Sequence, residues 1–305
     1  MPALTRKRER EAGVAEVDGA IAEADGAIAE ADDATAEADG AIAKADDAIA
    51  KAKDELATLF TAHGVDDSHG LGHALAVLNH AEAALAAAHP QVPAGRRLSV
   101  RLAALLHDAD DRKYFPASVG HANAAKIAAG AVAHAGCDGG EAVVTDMLRM
   151  IDLVSCSANG NSAPAEARSQ PELLWPRWAD RLEAAGEIGV ARCFKYNTKV
   201  GAPLACEGVT PRPKSAAEAL ALATEERFAQ YQVSGGSSAS MLDHYYDKLL
   251  QVARPPAELV QNAYLEEEAR KRADPLLEVL LAYGETGRVP VECIEAMCVR
   301  VGLCT

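Results

Sequence analysis

From residue 72 to residue 301 the apolar side chains recur every three to four positions, and period-two runs of Val and Ile are almost absent. That spacing lines one stripe of a helix. A strand, whose side chains alternate between faces, cannot use it. It predicts helices over 72–89, 97–109, 119–135, 139–155, 175–196, 215–231, 239–253, 256–284 and 290–301. Breakers separate them: HPQVPAG over 89–95, a long polar loop over 155–171, and further loops over 205–215 and 234–238. The expected fold class is all-α. Hydrophobic residues make up 49% of the chain but aromatics only 4%, so these helices are expected to pack through small side chains.

A second pattern precedes the first. Residues 14–50 read as sevens, with Ile21, Ile28, Ile42 and Ile49 at one position, Thr35 in the slot between, and Ala24, Ala31, Ala38 and Ala45 three residues later. An apolar seam at period 3.5 is the coiled-coil pattern. The seam is thin, because Ala buries little, and Gly19, Gly26 and Gly40 each weaken a helix by about 1 kcal/mol relative to Ala. The stretch fits a marginal exposed helix, a helix for self-association, or a disordered tail. The sequence divides into an acidic repeat over 1–55, a main domain over 56–290 and a C-terminal extension over 291–305.

The repeat also holds most of the charge. The 305 residues carry −15 in all. Residues 14–50 contribute −10, from eleven acids against Lys44, while residues 1–13 contribute +2 and the rest −7. This balance disfavours DNA or RNA, whose phosphates call for clusters of Lys and Arg, and it disfavours an anionic membrane surface. No apolar run approaches the ~18 residues of a membrane span, and no apolar core follows the basic start as in a secretory signal. Seven Cys without a CxxC pair fit reduced thiols in a cytoplasmic protein better than a zinc or disulfide framework.

Three segments hold the residues suited to chemistry. Asp66-Asp67-Ser68-His69-Gly70-Leu71-Gly72-His73 opens a helix. The apolar run SVRLAALL ends directly in His107-Asp108, followed by Asp110, Asp111 and Lys113. Asp180 and Arg181 lie in WADRLEAAGEIGVAR. A carboxylate behind core residues is costly unless compensated, and a divalent ion is one such compensation. Taken alone, the His-Asp pair equally fits a helix end followed by a solvated acidic turn. Two imidazoles and two carboxylates would form a mixed N/O set suited to Mn, Mg, Fe, Co, Ni or Zn with open water positions.

The pattern His73…His107-Asp108…Asp180 resembles the HD-domain superfamily of metal-dependent phosphohydrolases. DDSHGLGHALAVLNHA is similar to the D-x-S-H-x-x-x-H opening of a group of uncharacterised bacterial HD hydrolases. WADRLEAAGEIGVARCF is similar to their D-R-L-x-A-x-G-x-x-G-x-A-R segment, and SMLDHYYDKLLQVA to a late S-x-x-x-H-F-Y-x-K-L-L helix. The resemblance spans roughly residues 56–285 and leaves the acidic repeat outside. It implies an HD-type helical bundle with a divalent ion held by His73, His107, Asp108 and Asp180. His69 competes with His73 for the first position and otherwise serves the substrate. In some members an acid at the offset of Asp111 acts as general acid/base, ahead of Asp110, with Asp108 also in the catalytic group. Lys113, Arg181 and Lys248 are candidates for holding a phosphate, or for pairing with the site's own acids. Ser155, Ser157, Asn159 and Asn161 are candidates for lining the pocket.

The implied activity is hydrolysis of a small phosphoester, with a nucleotide as one candidate substrate. Members with two irons and oxygenase activity use extra His residues between the HD pair and the last Asp. Only His121 and His134 fall there, and both read as surface or capping residues, which favours one ion. The alternatives are such an oxygenase, or a silent scaffold with the repeat as a docking or self-association helix.

Overall fold

The described end of the heptad pattern, from residue 39 on, is helix, and its seam is covered. In the computed structural model, which describes residues 39–66 and 69–303, α1 runs over residues 39–63 with no break at residue 55. Its seam residues Ile49, Ala52 and Leu56 are buried, as are Ala48 and Phe60, in one cluster with Val77, Leu78, Leu102 and Leu106. Ile42, one heptad earlier, is 59% exposed. The last heptads therefore pack on the body of their own chain, and the expected boundary at 55/56 coincides with no structural break. Burying a Leu or Ile contributes about 1.5–3 kcal/mol, enough to outweigh Gly40. Arg101 adds an ion pair to Asp46 at 2.8 Å. The heptads with Ile21, Ile28, Thr35, Ala24, Ala31 and Ala38 lie outside the described residues.

The fold is all-α, with no strand among the described residues. After α1 come α2 (Leu71–Ala86), α3 (Ala94–Leu106), α4 (Ala122–Ala135), α5 (Gly140–Val154) and the single turn α6 (Cys156–Asn159). The loop expected over 155–171 is thus partly coiled, with a 3₁₀ turn at Ala165–Arg168 and a second at Pro171–Leu174. Next are α7 (Trp175–Glu183), α8 (Gly186–Val200), α9 (Ala216–Leu222) and α10 (Glu225–Val233). Then α11 (Met241–His244) passes through a π turn at Tyr245–Leu249 into α12 (Leu250–Val252), followed by α13 (Ala257–Val260), α14 (Ala263–Thr286) and α15 (Val291–Arg300).

Helices α1 to α5 and α7 share one apolar core, and α8, α9, α11, α12 and α15 share a second. Helix α14 joins them, with Leu265 and Ala269 in the first core and Leu276, Val279 and Leu280 in the second. The expected C-terminal extension is part of the second core: Ile294, Met297 and Cys298 are fully buried, and α15 packs on α8.

Three long predicted helices are each divided in two. The segment 175–196 breaks between α7 and α8, where Gly186 adopts φ +71°. A Cβ there would sit 3.1 Å from Arg272 Cγ, and one on Gly189 would sit 2.3 Å from the Ala184 carbonyl oxygen. Side-chain periodicity continues across such a break, so the apolar spacing does not register it. The segment 215–231 breaks at Thr224, whose hydroxyl caps α10 by accepting from Arg227 N. The segment 256–284 breaks at Gln261, with φ +43°, before Asn262 caps α14. Among the described residues no helix is long and apolar enough to cross a membrane, and none of the six described cysteines is in a disulfide.

Candidate metal centre

Three helices meet at one end of the first core. α2 packs against α3 and α7, and α3 also packs against α7. His73 lies in the first turn of α2, on the face that continues through Val77, Ala81 and Ala84 into the core. His107 follows directly on Leu102–Leu106, all buried, at the end of α3. Asp180 lies on α7 between buried Ala179 and Arg181. The apolar faces that dock these helices therefore also aim the polar groups at their ends.

The donor atoms converge. His73 Nε2 lies 3.3 Å from His107 Nε2, 3.3 Å from Asp180 Oδ1 and 3.7 Å from Asp108 Oδ2. His107 Nε2 lies 3.5 Å from both Asp108 Oδ2 and Asp180 Oδ1. The His107 tautomer is fixed by its other nitrogen, which donates to the Ala104 carbonyl at 2.9 Å. That carbonyl belongs to the last turn of α3, where helix carbonyls lack partners. In the neutral ring, Nε2 is then a bare lone pair facing His73. Two imidazole nitrogens this close share a proton or share a cation. Neighbouring donors of one ion, each at about 2.1 Å, stand about 3.0–3.4 Å apart, and the five measured pairs, none of them Asp108 with Asp180, lie at 3.3–3.7 Å. No thiol takes part, so the residues fit a hard or borderline divalent ion.

The electrostatics agree. Burial opposes charge on His107, but the carboxylates of Asp108 and Asp180 outweigh it and push the imidazole up to about 10. Burial likewise opposes charge on Asp180, yet its contacts to His107 and His73 hold it well below the ordinary range. Asp108 is lowered against its own burial by His107 and His69. Without an ion, a proton on His107 offsets part of the carboxylate charge. A divalent cation can replace it.

A second set of donors lies on the open side. His69 Nδ1 is 3.0 Å from Asp108 Oδ2 and 3.7 Å from Asp111 Oδ2. The groups His73, His107, Asp108 and His69, Asp108, Asp111 are each close enough to hold a metal ion. His73 thus belongs to the inner group and His69 to the outer one. Asp110 and Asp111, indistinguishable by residue type, are separated by the turn. Asp110 points away and caps α4, accepting from Asn123 N and Ala124 N at 2.9 Å each. Asp111 is held toward the site by Lys113 N on its Oδ1 at 2.8 Å. Lys113 Nζ pairs with Asp66 at 2.9 Å, tying the chain before His69 to the chain after Asp111. Asp67 and Ser68 lie outside the described residues.

The other expected residues occupy different places. The Arg181 guanidinium is buried, donating to Asn161 Oδ1 at 2.7 Å and to the Gly160 carbonyl, with Trp178 4.8 Å from its centre. It braces the 155–164 segment, as does Arg177 through the carbonyls of Leu153 and Ser162. Ser155 caps α6 through Ala158 N, and Asn159 donates to the Asp152 carbonyl at 2.8 Å. The Ser157 side chain lies outside the described residues. Lys248, in the π turn, lies 5.9 Å from the Tyr231 ring beside His244, which burial and that ammonium push down to about 4. His121 pairs with Asp152 at 2.8 Å and His134 approaches Asp47 at 3.7 Å, so neither is in the inner or outer group.

His80 and Glu183 are not among the residues expected at the site. His80 stands seven residues after His73, and Glu183 three after Asp180, so each repeats on its own helix face. They meet at 3.1 Å, joined by Tyr264 at 2.7 Å and by Arg272, 3.1 Å from Glu183. This second rung fixes α2 against α7 below the first. The spacing alone was signal enough to find it.

No family model matches the chain. Over 224 residues it is 36% identical to Uncharacterized protein L803 of Acanthamoeba polyphaga mimivirus, covering 70% of this chain and 88% of that protein. A crystal structure of a Lactobacillus plantarum structural genomics target matches with a TM-score of 0.49 at 19% identity, covering 79% of this chain and 95% of that one. That of the Lin1889 protein from Listeria innocua matches with a TM-score of 0.48 at 19% identity, covering 78% and 94%.

Proposed function

We propose that this chain, which belongs to the same family as Uncharacterized protein L803 of Acanthamoeba polyphaga mimivirus, is an HD-type metal-dependent phosphohydrolase acting on a small phosphoester. The observation that carries this reading is the meeting of His73, His107, Asp108 and Asp180, from the ends of three helices, within 3.3–3.7 Å along the measured pairs. These four residues would hold the ion. When bound, a divalent ion lowers the pKa of water and polarises a phosphoryl oxygen.

The chain's own residues supply the rest. His107 keeps its Nε2 lone pair on the donor set through the bond to Ala104. His73 and His107 form a buried wall with side chains 7% and 3% exposed, whereas the Asp108 and Asp180 side chains reach solvent in part, at 20% and 27%. Substrate therefore approaches over the carboxylates and the rim of His69 and Asp111. Asp111, with Oδ1 fixed by Lys113 N, has Oδ2 to accept a proton from attacking water or return one to the leaving oxygen. Lys113, whose side chain is 56% exposed in its pair with Asp66, stands at the rim, where a phosphate would compete with Asp66 for it. Arg181 contributes through the brace on the 155–164 segment.

The test is phosphate release by the chelator-treated full chain from a panel of phosphomonoesters and nucleotides. Release is expected only after Mn²⁺, Mg²⁺, Co²⁺ or Ni²⁺ is restored, and Asp108→Ala should abolish it with the helical spectrum intact. No release with any of these ions would overturn the proposal.

A further inference from the structure

We propose that the outer group His69, Asp108 and Asp111 is a second divalent-cation site, sharing Asp108 with the inner one. The inference rests on reading the inner group as a metal site. Its geometric basis is one atom: Asp108 Oδ2 is 3.0 Å from His69 Nδ1 and 3.5 and 3.7 Å from the inner imidazoles. An oxygen placed between two sets of donors is positioned to bridge two ions. Carboxylate-bridged ions stand about 3.5–4 Å apart in two-metal hydrolytic sites.

Charge supplies a separate argument. Asp108, Asp111 and Asp180 are three carboxylates, and the charge of one divalent ion offsets two of them. Of the neighbouring cations, Lys113 pairs with Asp66, Arg181 donates to Asn161 and Gly160, and Arg192, near enough to act on His69, donates to the Glu183 carbonyl. The outer donors are also held in place. Asp111 Oδ1 accepts from Lys113 N, which leaves Oδ2 toward His69, and the Lys113–Asp66 pair ties down the segment leading to His69. One nitrogen and two oxygens, each a quarter to a third exposed or slightly less, leave room for water on a hard cation. While an outer ion is bound, Asp111 Oδ2 is a ligand. The proton-accepting role of Asp111 belongs to the form with the inner ion alone, so outer occupancy tunes the activity.

The test is Mn²⁺ titration of the chelator-treated full chain, with bound metal counted and the Mn²⁺ electron paramagnetic resonance spectrum recorded. Two ions per chain are expected, the second weaker, with an exchange-coupled spectrum from the bridged pair. His69→Ala and the isosteric Asp111→Asn should each bind one ion and give an uncoupled spectrum. Saturation at one ion overturns the outer site and leaves the proposed function standing, with His69 then a positioning residue for Asp108. Two uncoupled ions, or a second ion that survives both substitutions, also overturn it. No bound ion at all removes both readings.

Discussion

Asp108 separates two sides of one centre that are built in different ways. On the inner side, His73, His107 and Asp180 adjoin the buried faces of helices that pack in the apolar core, and both imidazoles are nearly inaccessible. On the outer side, His69 and Asp111 stand on turns, a quarter to a third exposed, held by a backbone hydrogen bond and one surface ion pair. Core packing gives the inner donors a fixed geometry with little chain entropy left to lose on binding. The outer donors are exchangeable and open to water. A tight ion on one side and a labile ion or proton on the other follow from that contrast.

The largest expected effect comes from removing the residue the two sides share. Asp108→Ala should lower metal-stimulated phosphate release by about 10³-fold or more, the scale of losing a positioned electrostatic group. It should also abolish Mn²⁺ binding on both sides. An effect confined to one side would break the comparison. Next is the packing that supports the inner wall. Leu56→Ala in α1, fully buried against α2 and α3 residues, should destabilise the chain by about 2–5 kcal/mol in denaturant unfolding. Ile42→Ala, on the same seam but 59% exposed, should stay within about 0.5 kcal/mol.

The pH dependence sharpens the inner side. The His107 imidazole is raised to about 10 without an ion, so at neutral pH an incoming ion must displace its proton. Metal affinity measured calorimetrically should therefore rise by roughly tenfold per pH unit for that proton and level off near the raised value. In the ion-free chain the sign is opposite. The stabilisation from the paired imidazolium is complete below the unfolded value of about 6.5 and is lost as pH climbs toward 10. Smaller still is the contrast between neighbouring acids. Asp110→Ala removes the cap of α4 and should cost about 1 kcal/mol of stability while leaving Mn²⁺ stoichiometry intact. Asp111→Asn should do the reverse.

The inner donors were legible in the sequence because each directly adjoins or lies within an apolar helical stretch, where an ionisable group is conspicuous. The outer side was less so. Nothing in Asp110-Asp111 says which acid turns toward α4, because the turn after α3 decides it. The covered seam of α1 was hidden for a related reason: an Ala-rich heptad reads alike whether its partner is a second helix or the chain's own core. Arg181 looked like a phosphate contact because Arg is usually exposed, and its burial depends on Trp178 and on a loop folding over it. The breaks at Gly186 and Gln261 depend on single left-handed residues that leave the apolar spacing undisturbed.

The most direct test is anomalous diffraction at the manganese edge from crystals of the full chain soaked in Mn²⁺. The inner side predicts a strong peak bounded by His73 Nε2, His107 Nε2, Asp108 Oδ2 and Asp180 Oδ1. Saturating Mn²⁺ with no peak among those four atoms, or with the only peak elsewhere, would contradict the account.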